Sequence, residues 1–147
     1  PVIENLAKTG KYYKLPYTVK GMDLAFSGIV TKAVTDFNNK KASKEDLCFS
    51  MQETLFSMLT EVSERALAHT RKNELLLIGG VAANKRLVEM LNIMCKERDA
   101  RFFSVPLQYA GDQAAMIAWQ GILEFNKVTK KLDIYPYERL DQIDVEW

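Results

Sequence analysis

Glu74-Leu75-Leu76-Leu77-Ile78-Gly79-Gly80-Val81-Ala82-Ala83-Asn84 is the stretch that decides the fold. Leu75–Ile78 are successive apolar residues without alternation, which predicts a strand buried on both faces, as in a parallel sheet. Gly79-Gly80 ends the strand, and a helix begins near Asn84 with Leu87, Met90, Leu91 and Met94 turned inward. Arg101–Val105 reads as the next strand, closed by Pro106, and a helix follows from Asp112 through Phe125. Strand–helix–strand–helix with glycine turns after the strands predicts an α/β fold with a parallel pair and a right-handed crossover. Ligands in such sheets bind beyond the carboxyl ends of the strands. That rule points at three corners: Phe26-Ser27-Gly28, Gly79–Asn84 and Tyr109-Ala110-Gly111-Asp112-Gln113.

Upstream of the deciding stretch, residues 2–10 read as a short helix with Ile3, Leu6 and Ala7 on one face and Gly10 as its stop. Tyr17–Lys20 and Asp23–Phe26 are short strand candidates on either side of Gly21. Ile29, Val30, Ala33, Val34 and Phe37 follow at helical spacing. Ser43 with Asp46 three residues on resembles a capping box. The helix it opens carries Leu47, Met51, Leu55, Met58, Leu59, Val62 and Ala66 as one apolar stripe, read as core, and runs to about His69. Residues 1–126 are expected to form one lobe, with 127–147 a polar tail or linker.

Composition narrows the class. The chain has 147 residues, 20 basic and 19 acidic side chains, and is 48% apolar, 10% aromatic and 27% charged. These are soluble-domain values that exclude a disordered tail, a collagen-like fibre and a supercharged nucleic-acid arm. No run approaches the roughly 20 apolar residues that span a bilayer. With no leader pattern at Pro1-Val2-Ile3-Glu4, the expectation is a cytoplasmic protein without a membrane segment. Cys48 and Cys95 are expected to be buried, reduced thiols. A formal charge of +1 means that any RNA contact would not rest on the global field.

The corners carry what chemistry there is. Two glycines after a strand let a ligand approach the backbone where a Cβ would block it. Asn84 either caps the following helix or offers its amide to a hydroxyl or ring nitrogen, and spacing alone leaves both open. The stretch is neither a dinucleotide fingerprint nor a P-loop, since the third glycine and the Gly-Lys-Ser/Thr are missing. Asp112 at the mouth of a small-residue helix is either a cap or a ligand for a hard or borderline cation. Ser27-Gly28 could set a hydroxyl and a free N–H at a phosphate. His69, the lone histidine, reads as structural or surface. Lys85-Arg86 and Lys96/Arg98 read as solvated helix faces that could also steer RNA phosphates. No residue stands out as catalytic.

Four motifs recur in order: Gly21-Met22-Asp23-Leu24-Ala25-Phe26-Ser27-Gly28, Gln52-Glu53-Thr54, Gly79–Asn84 with Arg86-Leu87, and Asp112 leading Ala115-Met116-Ile117-Ala118. Together they resemble the second half of the universal tRNA threonylcarbamoyladenosine transferase family, called Kae in archaea and eukaryotes and TsaD in bacteria, in its archaeal version. The resemblance covers about residues 1–126. It implies an actin/sugar-kinase/Hsp70-like, RNase H-like lobe, a parallel or mixed sheet flanked by helices, forming half of a two-lobed protein. It implies transfer of threonylcarbamoyl from threonylcarbamoyl-AMP to the adenosine next to the anticodon in tRNAs reading ANN codons. Implied partners are tRNA and the KEOPS subunits: a Bud-type kinase, a Pcc-type dimerisation subunit and a Cgi-type protein.

By motif match, Asn84, Gly79 and Gly80 would bind the adenylate or ATP, with Ser27 a weaker candidate. Asp112 would be this lobe's ligand to one divalent metal, iron or zinc. The family pattern Asp-Asn-Gly-Ala-Met stands here as Asp112-Gln113-Ala114-Ala115-Met116. The family's His-x-x-x-His segment would lie upstream of Pro1, so the chain alone is expected to be inactive, and a kinase could follow Trp147. Two rival readings are a sugar- or acetate-kinase-like phosphotransferase lobe and an inactive lobe that serves as a docking platform for a kinase.

Overall fold

The computed structural model describes residues 2–111, 113–125, 134–137 and 139. The expected tail falls mostly outside them. Residues 1–110 form one compact unit and 111–147 a second. The first contains α1 (Val2–Ala7), β1 (Val19–Lys20), β2 (Asp23–Leu24), α2 (Ser27–Asn38), α3 (Lys44–Thr70), β3 (Glu74–Leu77), α4 (Lys85–Glu97) and β4 (Arg101–Ser104). The second contains α5 (Ala114–Glu124), an apolar helix with no buried residue.

α3 is the spine. The expected cap is present: the Ser43 hydroxyl accepts from Asp46 N–H at 3.0 Å, and Arg71, with φ +55°, ends the helix. Its 27 residues span about 40 Å at 1.5 Å rise per residue. That length lets it serve two cores. One gathers Phe56, Leu67, Leu87, Leu91, Met94 and Cys95; the other gathers Leu15, Ile29, Ala33, Leu47 and Met58. Leu55 packs against both. The single apolar stripe read from spacing was therefore incomplete, because Phe56, Ser50 and Thr54 on neighbouring faces are also buried.

β3 and β4 pair in parallel, Leu75 opposite Phe102 and Leu77 opposite Ser104, as the deciding stretch predicts. Burial on both faces is not found. Leu75 and Leu77 are half-buried and pack towards α4, whereas Leu76 is 60% and Ile78 66% exposed. Within these residues the sheet is covered on one face only. β1 and β2 form a separate antiparallel pair across a tight turn at Gly21, whose φ of +62° favours glycine. There are thus two small sheets among the described residues where one parallel or mixed sheet was expected. The hairpin docks on α3 through Arg65 Nη1, which donates to the Gly21 carbonyl at 2.6 Å.

Residues 10–15 strap α1 to α3. Lys11 N–H donates to Asp46 Oδ1 at 2.6 Å, and Tyr13 N–H to the buried Ser50 hydroxyl at 2.6 Å. Cys95 is fully buried but Cys48 only partly, so the expectation of two buried thiols holds for one; both are free.

α2 buries Ile29, Ala33 and the Asp36 carboxylate. Asp36 Oδ2 lies 2.5 Å from Lys32 Nζ and accepts from the Tyr13 hydroxyl at 2.9 Å. The Lys32 ammonium is the largest influence and holds the Asp36 carboxyl below its usual range, against the opposing effect of burial. Because the folded value is depressed, the carboxylate's contribution is fully present above the unfolded value of about 3.9 and is lost as pH falls through the folded one. Asp36→Asn is expected to lower the urea midpoint of the full-length protein near neutrality, with the gap to wild type closing below about pH 4. A gap that stays constant across that range would contradict the assignment.

Candidate functional site

A cavity of about 600 Å³ opens between α1, α3 and the short 3-10 turn Gly80–Ala83 that leads into α4. Its walls are mainly apolar, with Ile3 from α1, Met51, Leu55 and Phe56 from α3, and Val81 from the turn. Glu4, Gln52 and Asn84 bring the polar groups. A mostly apolar hollow of this size with a few converging polar groups has the character of a small-molecule site.

Asn84 fills the first of the two roles left open by its spacing, the cap. Its backbone is extended (φ −74°, ψ 116°), and its Oδ1 accepts from Arg86 N–H at 2.9 Å and from Leu87 N–H at 3.3 Å, capping α4. Its Nδ2 donates to Gln52 Oε1 at 3.3 Å. An amide nitrogen carries two N–H groups, so one remains without a partner among the described residues, on a side chain that lines the cavity. The cap fixes the amide's orientation before any ligand arrives.

Gly79 sits at φ +88°, a conformation that costs other residues about 1 kcal/mol or more. Gly80 has no such constraint, and no atom lies within 4 Å of where its Cβ would stand.

A second link holds the corner in place. Arg86 Nε and Nη2 each donate to a Glu53 carboxylate oxygen at 2.8 Å, and Nη1 donates to Glu89 at 2.7 Å. Glu53 first, then Glu89, raises the guanidinium's affinity for its proton. Arg86 is therefore a clamp between α3 and α4, not the solvated cation expected from sequence. Arg98 is likewise paired, with Glu64 at 3.1 Å.

The remaining predicted residues are not brought to this cavity among the described residues. Ser27 is exposed at the start of α2 and is not a lining residue. Asp112 lies outside the described residues. Among those residues no cluster of three or more His, Cys, Asp or Glu side chains is placed to hold a metal ion. His69 is exposed in the last turn of α3. No described helix is long and apolar enough to cross a membrane. Sequence reasoning missed Glu4, Gln52 and Phe56 as cavity residues; the one available signal was the Gln52-Glu53-Thr54 string, three polar residues between the stripe positions Met51 and Leu55.

The family profile described as "TsaD: tRNA N6-adenosine threonylcarbamoyltransferase" matches residues 1–119. A protein of Methanococcus vannielii named "Probable bifunctional tRNA threonylcarbamoyladenosine biosynthesis protein" is 51% identical, over 99% of this chain and 27% of that protein. A "tRNA N6-adenosine threonylcarbamoyltransferase" of Archaeoglobus fulgidus is 52% identical, over 100% of this chain and 47% of that protein. The chain thus spans from 27% to 47% of the length of these curated relatives. Among solved structures, T. kodakarensis HypF is similar in fold, with a TM-score of 0.62 at 21% identity over 85% of this chain and 16% of that one.

Proposed function

Because this chain belongs to the tRNA N6-adenosine threonylcarbamoyltransferase family, we propose that it forms the adenylate-facing part of an actin/sugar-kinase/Hsp70-like lobe. The full protein would move threonylcarbamoyl from threonylcarbamoyl-AMP to the adenosine next to the anticodon in tRNAs reading ANN codons. The observation that carries this reading is the cavity in which Asn84, held by its own cap, lies beside Gly80 and Gln52.

The adenosine moiety occupies the apolar part of the hollow, with its face over Gly80. The free Asn84 N–H donates to a ring nitrogen or ribose oxygen, and Glu4 accepts from a hydroxyl. Holding the donor in this way turns its acyl carbon towards the incoming amine and removes much of the entropic cost of the encounter. The amine forms the new C–N bond as the C–O bond to the AMP phosphate breaks, AMP leaves, and the amine gives up a proton. These residues position the donor and do not themselves exchange protons.

Asp112 would supply one oxygen ligand to a divalent iron or zinc, and the remaining ligands would come from elsewhere in the full-length protein. Such an ion polarises carbamoyl or phosphoryl oxygens. The reading places the protein in the cytoplasm within a KEOPS-type assembly with Bud-, Pcc- and Cgi-type subunits, and expects this chain by itself to be inactive.

The test is threonylcarbamoyl transfer to tRNA by the full-length protein with its partner subunits. Asp112→Ala is expected to reduce transfer by about 100-fold or more, the scale of lost electrostatic stabilisation at a reacting centre. Undiminished transfer by that variant would remove the metal assignment, and phosphorylation of a sugar in place of tRNA modification would overturn the reading.

A further inference from the structure

At the cavity wall the direction of one amide fixes that of the next. Asn84 Oδ1 accepts from Arg86 and Leu87 N–H, and a backbone N–H only donates, so Asn84 must turn Nδ2 towards α3. Nδ2 also only donates, and the Gln52 atom 3.3 Å from it is therefore the acceptor Oε1. Flipping Gln52 would set Nε2 against Nδ2, two donors facing each other. Gln52 Nε2, with two N–H groups, makes no hydrogen bond to any described residue. It belongs to a half-buried side chain that lines the cavity.

Resting on the adenylate reading above, we propose that Gln52 reads the nucleotide base, its Nε2 donating to an unprotonated ring nitrogen of the purine. Gln52 is then a specificity-determining residue in its own right as well as a neighbour of Asn84.

An adenylate offers these N–H groups three kinds of acceptor: phosphate oxygens, ribose oxygens and ring nitrogens. Glu4 lines the cavity with Gln52 and also shares the neighbouring groove with it, and a carboxylate there repels phosphate. A ribose hydroxyl both donates and accepts, so it would pair with either end of an amide and gains nothing from a locked direction. An unprotonated ring nitrogen only accepts, and for it the direction decides. Met51, Leu55 and Phe56 line the cavity from the same helix as Gln52. The apolar wall for the face of the base and the N–H groups for its edge thus come from one rigid element. A purine with C–H in place of that nitrogen has the same size but leaves Nε2 unpaired, which a site built to hydrogen-bond penalises.

The test is calorimetric binding of ATP and its 1-deaza, 3-deaza and 7-deaza analogues to the full-length protein, as wild type, Gln52→Met and Gln52→Glu. Each analogue replaces one ring nitrogen by C–H. Wild type is expected to bind one of the three about tenfold more weakly than ATP. Gln52→Met should bind ATP about tenfold more weakly and no longer distinguish that analogue. Gln52→Glu keeps an oxygen for Asn84 Nδ2 but has no N–H to offer. Its charge weakens all four ligands alike, so the ratio of ATP to analogue affinity should fall to about one. Equal affinity of wild type for ATP and all three analogues would overturn the inference. So would a ratio that Gln52→Glu leaves at its wild-type value, which would make Gln52 only a support for Asn84. Undiminished ATP binding in Asn84→Asp would strike the adenylate reading and this inference with it; in the two preceding outcomes Asn84→Asp still weakens ATP.

Discussion

Gly10→Ala is expected to destabilise the protein by about 2–4 kcal/mol, at the upper end for overpacking a well-filled contact. A Cβ at Gly10 would stand 2.8 Å from Phe49 Cβ, 2.5 Å from the Glu45 carbonyl carbon, and closer still to its oxygen. The obstacle is mostly backbone of a long helix, which cannot swing aside as a side-chain tip can. The strap would have to lift, and with it the Lys11 and Tyr13 N–H bonds to Asp46 and Ser50. Because the same strap follows α1, which brings Ile3 and Glu4 to the proposed donor cavity, adenylate affinity should fall together with stability. The thermal midpoint of the full-length protein reports the first effect: a fall of several degrees is expected, and a midpoint within one degree of wild type would contradict the packing described.

The largest functional effect separates the observed cap role of Asn84 from its proposed role towards the donor. Aspartate caps a helix as well as asparagine does, so Asn84→Asp should keep the bonds from Arg86 and Leu87 N–H and change stability by less than about 0.5 kcal/mol. It removes the amide N–H groups that reach Gln52 and the cavity, and it sets a negative charge beside an anionic adenylate. Loss of one hydrogen bond to a ligand costs about 1–3 kcal/mol, and like-charge repulsion adds to that. A fall of 100-fold or more in donor affinity is expected with little change in melting. Asn84→Ala should lose both, with about 1 kcal/mol of stability from the missing cap. Equal donor binding by wild type and Asn84→Asp would reduce Asn84 to a structural cap.

Local features were legible in the sequence because they depend on neighbours. Ser43 and Asp46 are three residues apart, and their capping bond follows from that spacing. The Leu75–Leu77 strand, its glycine exit and the Asn84 cap are likewise written within about ten residues. What could not be read were the partnerships between elements. Gln52 meets Asn84, and Glu53 meets Arg86, across separations of 32 and 33 residues. Periodicity places Gln52 and Glu53 on α3 but does not say which helix crosses there. The Asp36 carboxylate, fully buried, was invisible for the same reason, since its hydroxyl partner Tyr13 comes from the strap 23 residues away.

Gly10 illustrates a misassigned cause. Read as a helix stop, it stands three residues beyond the end of α1 and is required by the closeness of α3, a tertiary fact. The uncovered side of β3 is another case: an unbroken apolar run signals two buried faces, yet Leu76 and Ile78 are exposed within the described residues.

Binding of ATP to the full-length protein, followed by calorimetry for wild type and Gly80→Leu, tests the central claim most directly. The glycine has a backbone conformation open to any residue and empty space where its side chain would begin, so leucine should leave the fold intact and add bulk at the lining of the proposed donor cavity. An affinity loss of more than tenfold, about 1.4 kcal/mol, at an unchanged melting temperature is the predicted result. Wild-type ATP affinity in Gly80→Leu would mean that the adenylate lies elsewhere.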